Sequence, residues 1–449
     1  MTMDMGGSNK DSQYDVVIAG AGPAGAQCAR ELATRGYDVV VLETESEEEF
    51  PAGSDKSTGG TFRAMLRRFD VPDDVVMQFT DELVLESPSD YYRREYPGAV
   101  LDFAAFKRFL VEDGREAGAA YRFGARVSNP IMEGDEIVGV EYDGEREADG
   151  EREVYGEVVI DATGPSAPLA RALGVSDLER RNHAIGIEYE FEGVDVMNPY
   201  YPDLTDSMML RLDNEHAPGG YAWIFHTGGD TAKVGVCYLD AEGHERYGAG
   251  GRSLEEYLER WLEDDPRLRD AERKEGIVRH GSAHVQSPGS MCTDNFLAIG
   301  DTVPTVDALW GEGIYKCLRS ARVAADVVDN CLSADRPDTS AAALSAYDGR
   351  WHEEVAPDAT ARLRAARFVH RMSDERADAL VGDLNRHGYE TLTAASKGDR
   401  RAMAKLVHPR DLPLLANIAL DQFRSSRAVR RLSRERSAPR PLSFGRANK

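Results

Sequence analysis

Close to its start the chain reads Tyr14-Asp15-Val16-Val17-Ile18-Ala19-Gly20-Ala21-Gly22-Pro23-Ala24-Gly25, an apolar run that breaks into glycines and resumes as an alanine-rich segment. No other stretch limits the fold as tightly. Residues 14–20 read as a buried parallel strand, and residues 24–35 as a helix, with Ala26, Ala29, Leu32 and Ala33 at helical spacing and Gly36 closing it. Residues 39–43 read as a second buried strand. Together they make a βαβ unit whose turn carries the full G-x-G-x-x-G pattern. In such a unit Gly20 permits the tight turn, Gly22 lets a pyrophosphate approach the backbone, and Gly25 lets the helix pack close to the strand. The phosphates sit on the helix N-terminus, where free N–H groups and the helix dipole favour anions. Glu43 ends the second strand, 23 residues after Gly20, and a carboxylate there accepts hydrogen bonds from ribose hydroxyls. The unit points to a dinucleotide and does not by itself separate NAD from FAD.

Two later segments make that distinction. Val158-Val159-Ile160-Asp161-Ala162-Thr163-Gly164 is a buried strand opening into a turn. Phe296-Leu297-Ala298-Ile299-Gly300-Asp301 is another, followed by Pro304 and by Gly311-Glu312-Gly313-Ile314 at a helix start. A strand ending in Gly-Asp can set a carboxylate against the ribityl hydroxyls of a flavin. A glycine-bounded helix N-terminus beside it can stabilise negative charge on the pyrimidine of the reduced ring. Combined with the first motif, these segments favour FAD.

The three motifs in this order resemble the flavoproteins of p-hydroxybenzoate hydroxylase-like fold and, within them, the geranylgeranyl reductase family. Gly300-Asp301 through Val306-Asp307-Ala308-Leu309-Trp310-Gly311-Glu312-Gly313-Ile314-Tyr315 is similar to that family's GD…DPLTGEGI segment. Gly219-Gly220-Tyr221-Ala222-Trp223-Ile224-Phe225 is similar to its GGYGWVFP segment, and Lys56-Ser57-Thr58-Gly59-Gly60 aligns with its KPCGG loop. The likeness spans roughly residues 14–330. The chain departs from it at Thr58, where the family has Cys, at His226, where it has Pro, and at Ala308-Leu309-Trp310. The resemblance implies FAD contacts at Gly20, Gly22, Pro23, Ala24, Gly25, Glu43, Thr44, Arg126, Val127, Ala162, Gly164, Gly300, Asp301, Gly311, Gly313 and Ile314. It implies a substrate cavity at Lys56, Gly59, Gly60, Trp223, Phe225, Asp307 and Trp310. The activity it implies is reduction of isolated C=C bonds in prenyl chains, such as the geranylgeranyl groups of archaeal ether lipids, by hydride from reduced flavin. With Thr58 in place of the thiol, the candidate catalytic groups are His226, Tyr221, Thr58 or a bound water. The same fold also hosts flavin monooxygenases and halogenases, and binders that carry a prenylated ligand without turnover.

The expected class is therefore α/β: a Rossmann-like FAD-binding domain (residues 10–75, 100–172 and 286–345), an α+β substrate domain built on an antiparallel sheet (76–99 and 173–285), and a helical C-terminal region (346–424). Alternating patterns at residues 184–191, 207–212, 221–226 and 231–239 carry the antiparallel expectation. Among 449 residues, 79 acidic side chains face 54 basic ones, a net charge of −25. So acidic a surface repels nucleic acid and is similar to those of salt-adapted cytoplasmic proteins. Cys28, Cys237, Cys292, Cys317 and Cys331 are scattered, with neither a disulfide framework nor a metal cluster implied, and a reducing cytoplasm fits. His280 and His284 show no partner pattern and read as structural or surface residues. Residues 425–449 form an Arg-rich tail suited to peripheral contact with anionic lipid on the inner face of the membrane. No second G-x-G-x-x-G unit is visible, so ferredoxin and transiently bound NAD(P)H are both open as the electron donor.

Overall fold

The computed structural model describes residues 13–54, 57–144, 151–175, 178, 182–248, 250–274, 279–286 and 288–421. Lys56 and the Arg-rich tail lie outside the described residues. The chain builds two sheets and crosses between them more than once. Its strands are β1 (Gln13–Ala19), β2 (Val39–Leu42), β3 (Gly60–Phe62), β4 (Val76–Glu86), β5 (Tyr91–Leu101), β6 (Ala120–Arg122), β7 (Arg126–Glu133), β8 (Glu136–Asp143) and β9 (Glu151–Asp161). Then follow β10 (His183–Glu192), β11 (Ser207–Arg211), β12 (Gly220–Gly228), β13 (Thr231–Tyr238), β14 (Glu272–Arg273), β15 (Arg279–His284), β16 (Cys292–Thr293) and β17 (Phe296–Ala298).

The first sheet runs β16-β17-β9-β1-β2-β6, with β8 beside β9 and β7 beside β8. Its centre is parallel: β1 pairs β2 through Val16–Val39 to Ala19–Leu42, β1 pairs β9, and β17 pairs β9. Every residue of β2 is buried, as expected of a strand covered on both faces. Helix α1 (Pro23–Thr34) packs against the helices Phe103–Glu116 and Ile314–Leu332, burying Ala26, Ala29 and Leu32. The sequence places residues 121–127 in one strand. The chain instead breaks at Phe123-Gly124-Ala125 between β6 and β7, where Gly124 takes a positive φ and its N–H donates to Glu45 O.

The second sheet runs β14-β10-β13-β12-β11-β4-β5-β3, with β15 also on β10, and is antiparallel except where β11 meets β4. Residues 60–62, read from sequence as part of the nucleotide unit, pair with β5 in this sheet. Alternation along β12 divides its side chains. Ala222 and Ile224 face a core with Tyr257 and Trp261 of the Leu254–Asp264 helix, which Ser253 and Glu256 start with a reciprocal capping box. Tyr221 and Trp223 face the opposite core, shared with Leu380, Val381 and Leu384 of the C-terminal helix Asp374–His387. Among the described residues no helix is long and apolar enough to cross a membrane.

Candidate active site

Two adjoining cavities occupy the junction of the sheets. The larger, about 1280 Å³, lies over the C-terminal ends of the parallel strands. Gly20, Gly22, Pro23, Ala24, Glu43, Thr44, Arg126, Val127, Ala162, Gly164 and Asp301 all line it, so the predicted nucleotide residues converge on one space. The backbone explains the glycines. Gly20 has φ +97°, and a Cβ there would sit 2.6 Å from the carbonyl oxygen of Ala162. A Cβ on Gly25 would drive into the carbonyl oxygen of Gly20, so α1 can approach β1 only without one. A Cβ on Gly22 would meet no protein atom within 4 Å, although the residue lines the cavity: the space beside it is kept for a ligand. Helix α1 has neither a side-chain cap nor an acidic residue in its first turn, which leaves its leading amides for a phosphate.

The acids are fixed before any ligand arrives. Glu43 Oε2 accepts from Ala21 N–H at 2.8 Å and Oε1 from Glu45 N–H at 3.1 Å, which holds the carboxylate at the end of β2 beside the glycine turn. Asp301 follows β17 in a short 3-10 turn. Burial pushes its carboxyl up to about 6, against the Cys317 thiol, which donates to Oδ1 at 3.4 Å, and the nearby Lys316 ammonium. Asp161 is an acid of another kind. It is fully buried at the end of β9, accepting from Leu169 N–H and Ala170 N–H at 3.1 and 3.0 Å and from the Thr163 hydroxyl at 2.6 Å, so it holds the turn and the helix that follow. The donor set, the cradle at Gly22 and two acids on separate strand ends fit FAD.

Sequence reasoning missed several residues of this cavity. Lys107 lines it from the Phe103–Glu116 helix, and His280 and His284 line it from β15, with the His284 ring 5.2 Å from that of His183. Their wide separation in sequence gave no local pattern to read.

The smaller cavity, about 570 Å³, shares Pro23, Ser57, Phe103, Asp301 and Cys317 with the first. The predicted Thr58, Gly59, Gly60, Tyr221, Trp223, Phe225, Asp307, Trp310, Gly311, Gly313 and Ile314 all line it, together with Leu83, Met208 and Leu210. Gly311, Gly313 and Ile314, expected at the cofactor, thus face this second space; Gly300 lines neither, its missing Cβ instead allowing Ala24 to close on it.

Comparison with known proteins agrees with this geometry. Residues 15–197 match the family model described as FAD dependent oxidoreductase, and residues 188–285 match the geranylgeranyl reductase catalytic domain. The chain is 59% identical to the digeranylgeranylglycerophospholipid reductase of Haloferax volcanii over 91% of its own length and 98% of that protein's. The chain belongs to the geranylgeranyl reductase family. It is 30% identical to digeranylgeranylglycerophospholipid reductase 2 of Methanopyrus kandleri, over 89% of this chain and 99% of that one. Its fold matches a geranylgeranyl bacteriochlorophyll reductase-like protein of Thermoplasma acidophilum with a TM-score of 0.77 at 21% identity, covering 91% of this chain and 99% of the other. It is an FAD-dependent oxidoreductase of the geranylgeranyl reductase type.

In this family member the three candidate catalytic residues fare differently. His226 lies outside both cavities. Its Nδ1 accepts from Asp206 N–H and its Nε2–H donates to Gly229 O, both at 3.1 Å, so the imidazole ties Asp206 to the β12–β13 turn. Tyr221 does face the cavity, its hydroxyl donating to Trp310 O at 2.7 Å, and burial raises its pKa well above the ordinary tyrosine range. Thr58 contributes its carbonyl, which accepts from Lys233 Nζ at 2.8 Å; the same ammonium donates to Leu101 O at 2.8 Å. Lys233 has 0% exposure and fastens the 57–60 glycine loop to β13. A lysine inside the apolar run Ala232-Lys233-Val234-Gly235-Val236 was the sequence signal for it.

Asp307 is a hub. Its Oδ1 accepts from Leu309 N–H at 3.0 Å, Trp310 N–H at 2.9 Å and Arg362 Nη2 at 2.7 Å, and its Oδ2 accepts from Lys316 Nζ at 3.2 Å and from Arg362 Nε. Burial alone would raise its pKa, but the Lys316 and Arg362 cations hold its carboxyl well below the usual range. Asp307 thus shapes the 307–312 turn that walls the cavity. Trp310 extends this wall, its indole N–H donating to the Tyr389 hydroxyl at 2.7 Å, while Trp223 donates to Glu188 Oε2 at 2.8 Å.

Proposed function

We propose that the protein saturates the isolated C=C bonds in the geranylgeranyl chains of digeranylgeranylglycerophospholipid. The observation that carries this reading is the second cavity: apolar and aromatic on Leu83, Met208, Leu210, Trp223 and Phe225, and opening onto the nucleotide cavity at Pro23, Ser57 and Asp301. Extensive sequence identity to a reductase of that lipid supports the substrate. Bound and reduced, FAD supplies hydride from its ring to one alkene carbon. The chain's own work is to seat the alkene, exclude water and keep a proton available. Trp223, Phe225 and Trp310 confine the prenyl chain. Lys233 and Asp307 fix the two loops that close round it. Two groups able to exchange a proton stand on the wall: the Tyr221 hydroxyl and the Glu312 carboxyl, whose pKa burial raises although Lys316 works against it.

The anaerobically reduced protein, offered the unsaturated lipid, is expected to return products heavier in steps of two hydrogens by mass spectrometry. A flavin that stays reduced with the lipid unchanged would sink the reading.

The lipid substrate also supports a peripheral station on the membrane. Arg427, Arg430, Arg431, Arg434, Arg436, Arg440 and Arg446 place positive charge on the tail of an otherwise acidic chain. Clustered arginines are attracted to anionic headgroups at about 1 kcal/mol each. The full-length protein is expected to sediment with anionic vesicles at low salt, and protein truncated after Ser425 to stay in solution; equal sedimentation of the two would remove the tail from this role.

A further inference from the structure

Among the described residues, one cation of the prenyl cavity is left unspent by the rest of the site. Arg94 stands on β5 opposite Leu83 and lines the cavity. Its guanidinium carbon lies 3.8 Å from the centre of the Tyr389 ring and 4.8 Å from that of Tyr96. Its Nε is shut off from solvent and has no hydrogen-bond partner, and among the described residues Arg94 makes no ion pair. The other two cations on this wall differ, since Lys316 and Arg362 are both bound to Asp307. Glu312, also on the wall, makes no ion pair with Arg94 and is itself pushed by burial toward its neutral form.

Stacking uses the face of a guanidinium and leaves its N–H edge free. Nε is closed off, so the terminal Nη groups are the ones oxygen acceptors can reach from the cavity, and their fork matches the paired oxygens of a phosphate. An acidic protein has many carboxylates that could have filled the place, yet none of the described ones does. A ligand suited to this cavity is therefore long and apolar along most of its length and anionic at one point. We infer that Arg94, held between Tyr96 and Tyr389, binds the phosphate of the lipid substrate and so registers its prenyl chains in the cavity. This rests on the prenyl-lipid reading above and adds a headgroup subsite to it.

The test compares digeranylgeranylglyceryl phosphate with the neutral digeranylgeranylglycerol, using flavin-loaded wild type and Arg94→Gln. Wild type is expected to favour the phosphate about 30-fold in kcat/KM, roughly 2 kcal/mol at 1.4 kcal/mol per decade. Arg94→Gln should shrink that preference to about 3-fold or less, through the KM of the phosphate. Glycerol phosphate added to wild type should raise the KM of the phosphorylated lipid and not that of the alcohol, which tests the site even where the variant fails to load flavin. Inorganic phosphate acting as strongly as glycerol phosphate would assign the site to a free anion and overturn the headgroup assignment. So would a wild type without preference, a flavin-loaded Gln variant that keeps it, or glycerol phosphate that leaves both KM values unmoved. Reduction of neither lipid by wild type would overturn the substrate reading itself.

Discussion

Replacing Gly25 with alanine is expected to strip FAD from the protein. The added Cβ has nowhere to go: Gly20 O stands directly in its path and Ala162 Cβ lies 3.1 Å away. To make room α1 must swing off β1, and overpacking of this kind costs about 1–3 kcal/mol. The larger effect falls on the ligand, because the same movement carries the leading amides of the helix away from the phosphates. A loss of about 3 kcal/mol in cofactor binding corresponds to roughly a 100-fold weaker Kd. Gly22→Ala separates the two contributions. Its Cβ meets no protein atom, so the apo-protein should melt as wild type does while FAD binding collapses. Flavin fluorescence titration with a thermal melt of each apo-protein reads both quantities. A Gly25→Ala protein that binds FAD as tightly as wild type would show that the helix does not need its close approach.

Asp307→Ala is expected to lower turnover about 100-fold while the protein still holds flavin. The carboxylate is 3% exposed and collects two backbone N–H groups, Lys316 and Arg362. Without it two cations of like sign face each other and the 307–312 turn loses its anchor. Removing one partner of a buried ion pair costs about 3 kcal/mol, less here to the extent that Arg362 is part-exposed. Displacing Trp310 by even an ångström misplaces the wall of the cavity, and misplacements of that size cost on the order of 100-fold in rate. The interaction also titrates. Because the folded protein depresses the Asp307 pKa, the stability it contributes is fully present above about pH 4, the ordinary carboxylate value, and is lost as pH falls below that toward the folded value. Melts of wild type and Asp307→Ala should therefore converge as the pH is lowered from about 5 toward 2. Equal turnover at neutral pH, or a melting difference that does not change with acid, would remove Asp307 from this role.

The nucleotide half of the site was legible because its determinants are local. Gly20, Gly22 and Gly25 fall at fixed spacing within one turn, Glu43 follows after one helix and one strand, and the apolar runs of β9 and β17 announce their burial directly. The substrate half is assembled from afar. Arg94, Arg362 and Tyr389 come from three elements with no common spacing, and only the packing of the C-terminal helices on the second sheet brings them to one wall. His226 was misplaced by following the aromatic run one residue too far. Strand alternation puts Tyr221, Trp223 and Phe225 on one face and residue 226 on the other, so the period of two already argued against it. Thr58 was expected to matter as a side chain standing where a thiol usually does, and the structure adds a use for its carbonyl, which no residue pattern encodes.

The order in which the two sheets are threaded has a consequence for how the enzyme is made. Gly20 and Glu43 leave the ribosome early, but β17 with Gly300 and Asp301 inserts beside β9 only after β10 to β15 of the other sheet have been synthesised. An N-terminal fragment ending before Phe296 would thus carry the phosphate turn without the opposite bank of its cavity. The walls of the nucleotide cavity span the chain from Gly20 to Asp301, so capture of the cofactor waits until synthesis has passed β17 and the second sheet has been made.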